Sequence, residues 1–262
     1  MARAGLGRKC RLAALIVWCA LFGPSLLLAI HVNPTRVELS VRPGGEYAGS
    51  LELTSDSNDT VRVVIGVTDQ TPFGDGPARR PWFFAEEREL ELQPGEGVDC
   101  PFRVSVPSNA VGELKAKLSF TTYGRSSSTP ISIIPVIGVP IYVVVEGTEV
   151  YDLRIRACGL RSADPLEVAL TMENRGNTHV RPQGVCVITD LESGRVLRQI
   201  PVNKLNLRDI GWPVMPGETA ELYARPAQTD DDKSLPPGRY GFDIRINHNG
   251  QDMSQHFEAT VP

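Results

Sequence analysis

The sequence predicts an all-β protein of two consecutive seven-stranded β-sandwich domains behind a signal peptide. Apolar and polar residues alternate in many short segments, and this period of two is typical of strands with one face on a core. The 24 glycines and 21 prolines distribute turn signals along the whole chain. No segment shows a sustained 3.6-residue period, so helices are not expected.

The N-terminal segment 1–29 is predicted to be a signal peptide. A basic start without acidic residues is followed by an apolar run from Leu12, which ends at a small residue. Gly23-Pro24 breaks this run, which favours cleavage after Ala29. An uncleaved membrane anchor is the alternative, because the run is just long enough to span a bilayer.

The charge of the mature chain excludes some partners. Removal of the four basic residues in the signal peptide leaves 23 basic and 31 acidic side chains. Nucleic acids and anionic membranes bind clustered Lys and Arg, so neither is expected to be a partner.

Motifs for catalysis are not found. There is no nucleophile elbow, zinc-protease motif, phosphate-binding loop or dinucleotide fingerprint in the sequence. We therefore expect no catalytic residues, no cofactor and no metal site.

The alternation predicts where the strands lie. In the first half, the predicted strands are 35–41, 47–54, 61–68, 88–92, 98–106, 112–122 and 131–145. In the second half, they are 152–157, 166–173, 184–190, 195–201, 219–225, 239–247 and 252–261.

The two halves repeat one pattern. A Pro-Gly-Glu turn, a strand, a corner and a long alternating strand follow one another from "LQPGEGVDCPFRVSV" and again from "VMPGETAELYAR". Two copies of one unit predict a boundary near Gly147, with domains at 30–147 and 148–262.

Tyr240 in "LPPGRYGFDI" follows Pro-Gly at the start of the penultimate predicted strand. This arrangement resembles the tyrosine corner of immunoglobulin-like sandwiches, in which the hydroxyl reaches back to the preceding corner. The first half has Leu114 at the matching place and lacks this device. The predicted sandwiches are therefore immunoglobulin-like or fibronectin-III-like.

Asn249-Gly250 is the dipeptide favoured in two-residue hairpin loops. Pairing outward from this turn predicts the cross-strand pairs Phe242–Phe257, Ile246–Met253, His248–Gln251 and His256–Asp243. The two histidines then lie several pairs apart, which argues against a shared metal.

Three cysteines remain in the mature chain. Cys100 is on the inward face of its predicted strand and is expected to be a core residue. For Cys158 and Cys186 the sequence leaves two states open, free thiols or a disulfide between them, which an oxidising compartment allows.

The segment 172–182, "MENRGNTHVRP", raises a choice between a ligand site at His179 and a corner between strands. Asn and Gly tolerate left-handed backbone, and Asn side chains bond to nearby backbone groups in turns. The composition favours the corner, and the ligand site is kept as the alternative.

The first half resembles a known family. The stretches "VNPTRVELSVRPGG", "LELQPGEGVDCPFRVSVP", "GELKAKLSF" and "ISIIPVIGVPIYVVV" resemble the N-terminal domain of bacterial periplasmic pilus-assembly chaperones. The resemblance in motif covers residues 32–145. It implies secretion across the inner membrane, a location in the periplasm or at the cell surface, and a protein partner, a pilus or surface subunit. The last strand of the first domain would complete that subunit's sheet by β-strand addition.

The resemblance also implies partner-binding residues. Arg36 matches the Arg that anchors a subunit's C-terminal carboxylate, whereas the family's Lys has no counterpart around "VIGVPIYVV". The donor strand would present the apolar side chains of Ile131, Ile133, Ile137, Val139, Ile141 and Val143 on an open edge.

The second half, from "MENRGNTHVRPQGVCVITDLESGRV", resembles fibronectin-III-like modules of bacterial surface and envelope proteins. This resemblance implies an alternative function, a structural or adhesive envelope module that binds cell wall or another surface protein. The first interpretation is a non-enzymatic chaperone-like protein, and an enzyme or solute-binding protein is the third.

Overall fold

The computed structural model describes residues 30–68, 81–123, 134–204, 211–226, 234–249 and 251–262. In the first half, the strands are β1 (Ile30–Asn33), β2 (Val37–Val41), β3 (Glu46–Ser55), β4 (Val61–Thr68), β5 (Phe83–Ala85), β6 (Arg88–Leu92), β7 (Gly97–Ser105), β8 (Glu113–Tyr123) and β9 (Val136–Val145). In the second half, they are β10 (Leu153–Ala163), β11 (Leu166–Asn174), β12 (Gln183–Asp190), β13 (Val196–Val202), β14 (Thr219–Ala224), β15 (Gly238–His248) and β16 (Gln251–Val261).

The strands of the first half form two sheets. One sheet has the order β1-β3-β7-β5, and the other has the order β2-β9-β8-β4-β6. The alternating residues direct one side chain in two to the interior, as period two requires. The fully buried interior side chains include Leu51, Leu53, Val61, Val63, Val104, Phe120, Val139 and Ile141.

The strands of the second half form one sheet with the order β10-β11-β14-β13-β12-β15-β16. A single residue pair, Val202 with Ala224, joins β13 to β14, so the sheet is nearly divided into a three-stranded and a four-stranded part. Both parts contribute to one core, whose fully buried members include Val168, Leu170, Met172, Cys186, Ile188, Phe242 and Ile244.

The predicted fold class is confirmed, because both halves are immunoglobulin-like β-sandwiches. The two short strands β1 and β5 were not predicted, since four and three residues are too few for an alternation to be recognised. The predicted strand 131–145 begins at Val136 in the structure, and its residues 131–133 lie outside the described part.

The predicted register of the last hairpin is confirmed. β15 and β16 pair Phe242 with Phe257, Ile246 with Met253, His248 with Gln251 and Asp243 with His256. The rings of Phe242 and Phe257 stack with centroids 4.6 Å apart and an interplanar angle of 2°.

The predicted tyrosine corner is also confirmed, because the Tyr240 hydroxyl donates a hydrogen bond to the Pro236 carbonyl oxygen at 2.8 Å.

We expect Tyr240→Phe to lower the free energy of unfolding by about 1 kcal/mol, since it deletes one hydrogen bond and keeps the buried ring. Urea unfolding measures this loss. The control is Tyr47→Phe at an exposed tyrosine, and equal effects of the two substitutions would show that the corner bond stabilises nothing.

The chain divides into two compact units. The second unit contains Tyr142–Pro262 together with two segments from the first half, Glu38–Gly45 and Val106–Leu114. The border therefore crosses β9 between Ile141 and Tyr142, and the domain boundary near Gly147 stays a prediction. Within the described residues there is no helix with the length and apolar character needed to cross a membrane.

Candidate functional site

The candidate donor strand β9 is paired differently along its two halves. β8 lies on one side of it and β2 on the other. β2 has only five residues, and its last carbonyl, that of Val41, accepts a hydrogen bond from the Glu146 N–H at 3.0 Å. β2 therefore lies beside the second half of β9. In the described part of the chain, the first half, 136–140, has β8 as its only neighbouring strand.

The side chains predicted for strand addition do not share one environment. Val139, Ile141 and Val143 are 0% exposed and belong to the core. The expectation that these three are presented on an open edge is corrected, because the odd-numbered side chains of β9 point into the sandwich. Ile137, at the start of the same face, is half-buried.

The other predicted positions are placed as follows. Arg36 is half-buried in the segment directly before β2. Ile131 and Ile133 lie outside the described residues. Their roles, like that of Arg36, stay predictions.

Two apolar side chains that were not predicted are exposed at the beginning of β9. Ile134 is 51% exposed and Val136 is 59% exposed. Val136 is the first residue of β9, and its even number places it on the opposite face from the buried Val139 and Ile141, whereas Ile134 lies two residues before the strand. The sequence contains no local signal for them, because nearly every residue of "IIPVIGVPIYVVV" is apolar at both odd and even positions.

A second cluster surrounds His179 in the second unit. The His179 ring lies beside the Tyr142 ring, with centroids 4.3 Å apart and an interplanar angle of 37°. Its Nδ1 contacts the Glu113 carboxylate, and its Nε2 lies 3.4 Å from Glu38 Oε1. Arg181 Nε lies 3.2 Å from the same Glu38 oxygen. The histidine is thus held by carboxylates of β8 and β2.

The corner predicted for "MENRGNTHVRP" is confirmed, because its asparagines bond to the backbone around it. The Asn174 amide donates to the carbonyl oxygens of Thr178 and Val214, each at 2.9 Å. The Asn177 amide donates to the Thr148 carbonyl at 2.9 Å, and its oxygen accepts from the Val150 N–H at 2.7 Å. These bonds fix the backbone that carries His179.

The cysteine thiols and the possible metal ligands of the described residues do not form a reactive site. Cys100, Cys158 and Cys186 are all free thiols, and burial raises the pKa of Cys186 to about 12. Thiolates, which are the nucleophilic form, are therefore disfavoured at Cys186. Within the described ranges, no three or more His, Cys, Asp or Glu side chains are arranged so that they could hold one metal ion.

No protein-family model and no curated protein matches the sequence. Among solved structures, the chain is similar to the E. coli chaperone DraB, with 13% sequence identity, coverage of 89% of this chain and 98% of that chain, and a TM-score of 0.44. It is similar to the SafB chaperone, solved with the SafA pilin of Salmonella enterica, with 13% identity, coverage of 90% and 97%, and a TM-score of 0.47. It is also similar to CsuC of Acinetobacter baumannii, solved with the tip subunit CsuE of the chaperone-usher Csu pili, with 12% identity, coverage of 88% and 97%, and a TM-score of 0.44.

Proposed function

We propose that this protein is a non-enzymatic, periplasmic chaperone-like protein that binds a pilus or surface subunit by β-strand addition. The first half of β9 would supply the added strand. The observation that carries the proposal is that, among the described strands, β8 alone lies beside residues 136–140, so a partner strand could pair along their other side.

The side chains at this edge support the proposal. Ile134 and Val136 are exposed apolar residues, and water contact with them is removed when a partner strand covers them. The apolar Ile131 and Ile133 precede them in the sequence, and Ile137 follows. In this proposal, Val139, Ile141 and Val143 keep the strand in place from the core side rather than touching the partner.

Arg36 is proposed as the anchor for the partner's C-terminal carboxylate. A guanidinium forms paired hydrogen bonds with a carboxylate, which gives both affinity and register. Without a matching Lys in β9, the anchor would depend on this one side chain, so Arg36→Gln would weaken the complex more than it weakens the fold.

The proposal is tested by capturing partners in the native envelope. The tagged protein and the double variant Ile134→Thr/Val136→Thr are crosslinked in cells, purified, and their partners identified by mass spectrometry. We expect the wild type to capture a subunit whose immunoglobulin-like sheet lacks a strand, and the double variant to lose at least about nine-tenths of it, as for the removal of two apolar anchors.

A matched control and a backbone readout make this test specific. Val150→Thr changes an equally exposed valine, 53% exposed, in the second unit, and should leave capture unchanged. Hydrogen exchange at residues 136–140 should slow in the purified complex, because strand addition protects backbone N–H groups. Unchanged capture by the double variant, or unchanged exchange in the complex, would refute strand addition here.

The second candidate function is a structural or adhesive module that binds cell wall or another surface protein. The observation in its favour is the burial of Val139, Ile141 and Val143, which leaves only a short apolar edge for a partner strand. Purified peptidoglycan distinguishes the two candidates. Sedimentation of the protein with peptidoglycan, unaffected by Ile134→Thr/Val136→Thr, would favour the module.

A further inference from the structure

Both ring nitrogens of His179 contact hydrogen-bond acceptors, which bears on the protonation state of the ring. The two ring nitrogens face two carboxylates, Glu113 at Nδ1 and Glu38 at Nε2. Ionised carboxylates only accept hydrogen bonds, and a neutral imidazole has a single N–H to donate. Both contacts can be hydrogen bonds only when the ring carries two protons and a positive charge.

The positive charge on His179 matters more because the ring and the Glu113 carboxylate are buried. The His179 side chain is 8% exposed and that of Glu113 is 0% exposed, whereas that of Glu38 is 39% exposed. A buried carboxylate is costly without a cation beside it, because water cannot solvate it. The imidazolium of His179 places a positive charge directly against the Glu113 carboxylate, and Arg181 lies against Glu38.

We propose that His179, Glu113 and Glu38 form a pH-dependent ionic latch, which holds the corner 175–181 against β8 and β2 when the imidazole is protonated. Loss of the proton removes the bond to Glu38 and the positive charge that lies against Glu113. The latch then weakens, although the backbone N–H of His179 still donates to Glu113 at 3.0 Å. This inference is independent of the proposed partner.

The charged and titratable groups facing the ring agree with this assignment. Burial by itself disfavours the charged ring, but the hydrogen bonds to Glu113 and Glu38 outweigh it and raise the pKa of His179, against the smaller opposing charge of Arg181. From β9, Tyr142 stays neutral because burial raises the pKa of its hydroxyl. From β15, burial and the charge on His179 lower the pKa of His248, which disfavours a second positive charge beside the ring.

The direction of the pH dependence follows from linkage. A group whose pKa is higher in the folded than in the unfolded state stabilises the fold when protonated. The contribution of the latch is complete below the ordinary value of 6.5 and is lost as the pH rises through the folded pKa of His179.

Urea unfolding at about pH 5.5 and about pH 8.5 tests the latch. We expect the unfolding equilibrium constant of the wild type to be larger at the higher pH, and we expect His179→Gln to abolish most of that difference. Glu113→Gln should raise the constant at the lower pH by about tenfold to a hundredfold, as expected when a buried charged hydrogen bond is lost.

The matched control is His256→Gln. His256 pairs with Asp243 at 2.8 Å but is exposed, so water replaces the lost contact and the pH difference should persist. If His179→Gln retains the full pH difference of the wild type, the latch is refuted.

Because His179→Gln could fail to fold, NMR titration of the wild-type histidine rings gives an independent result. The latch requires that His179 titrates above 6.5 and that His248 titrates below it. A His179 midpoint below 6.5 would overturn the proposal regardless of how the variants behave.

Discussion

Asn174→Ala is expected to lower the free energy of unfolding by about 3 kcal/mol or more, because each buried partner left without a hydrogen bond costs about 1–3 kcal/mol. Asn174 is 0% exposed, and its side chain forms three hydrogen bonds. Two go from its amide to the carbonyls of Thr178 and Val214, and one is accepted from the Gly176 N–H, all at 2.9 Å. Urea unfolding followed by circular dichroism measures the loss.

Two further variants show whether the hydrogen bonds cause this effect. Asn174→Asp keeps the shape and the acceptor but removes both N–H donors, so it should destabilise about as much as alanine. Asn109→Ala alters an exposed turn asparagine and should change stability by less than about 0.5 kcal/mol. A small effect of Asn174→Asp would mean that the donors contribute little to the corner.

Ile141→Thr is expected to cost about 2–4 kcal/mol of unfolding free energy, whereas Val136→Thr on the same strand should cost less than about 0.5 kcal/mol. Ile141 is 0% exposed, so threonine removes core contacts and buries a hydroxyl. Val136 is 59% exposed, so threonine meets water. The two urea midpoints check this directly, and similar midpoints would show that β9 is not packed as described.

This pair also separates stability from recognition. A β9 variant that includes Ile141 would lose partner capture through unfolding alone, and such a loss would carry no information about the strand edge. Val136→Thr and Ile134→Thr change the proposed contact surface and leave the core intact, which is why the capture experiment uses them.

Local sequence patterns were sufficient to predict the strand register of the last hairpin. The Asn249-Gly250 turn fixes the loop length, and alternation then assigns Phe242 and Ile246 to the core face, so the register of β15 and β16 could be predicted. The hydrogen bond of Tyr240 could also be predicted from the sequence, because its partner Pro236 lies only four residues away.

The face of β9 could not be predicted. In "IIPVIGVPIYVVV" nearly every residue is apolar at both odd and even positions, so alternation does not distinguish inside from outside. The pairing with β2 decides which half is covered, and that depends on contacts more than a hundred residues apart, such as Val41 with Glu146.

The His179 cluster could not be predicted for the same reason. Glu113 lies 66 residues before His179 in the sequence, and no local motif joins them. The composition of "MENRGNTHVRP" correctly indicated a corner, but only the folded chain shows that the corner rests on two carboxylates from other strands.

The assignment of Glu38–Gly45 and Val106–Leu114 to the second unit has an evolutionary consequence. A gene fragment encoding only residues 148–262 would carry His179 and Asn174 but neither Glu113 nor Glu38. A gene for the C-terminal half alone would therefore encode the corner without the two carboxylates that contact its histidine. We expect a fusion protein made from this fragment to lose those contacts, and recombination that moves the fragment into another gene would lose them too.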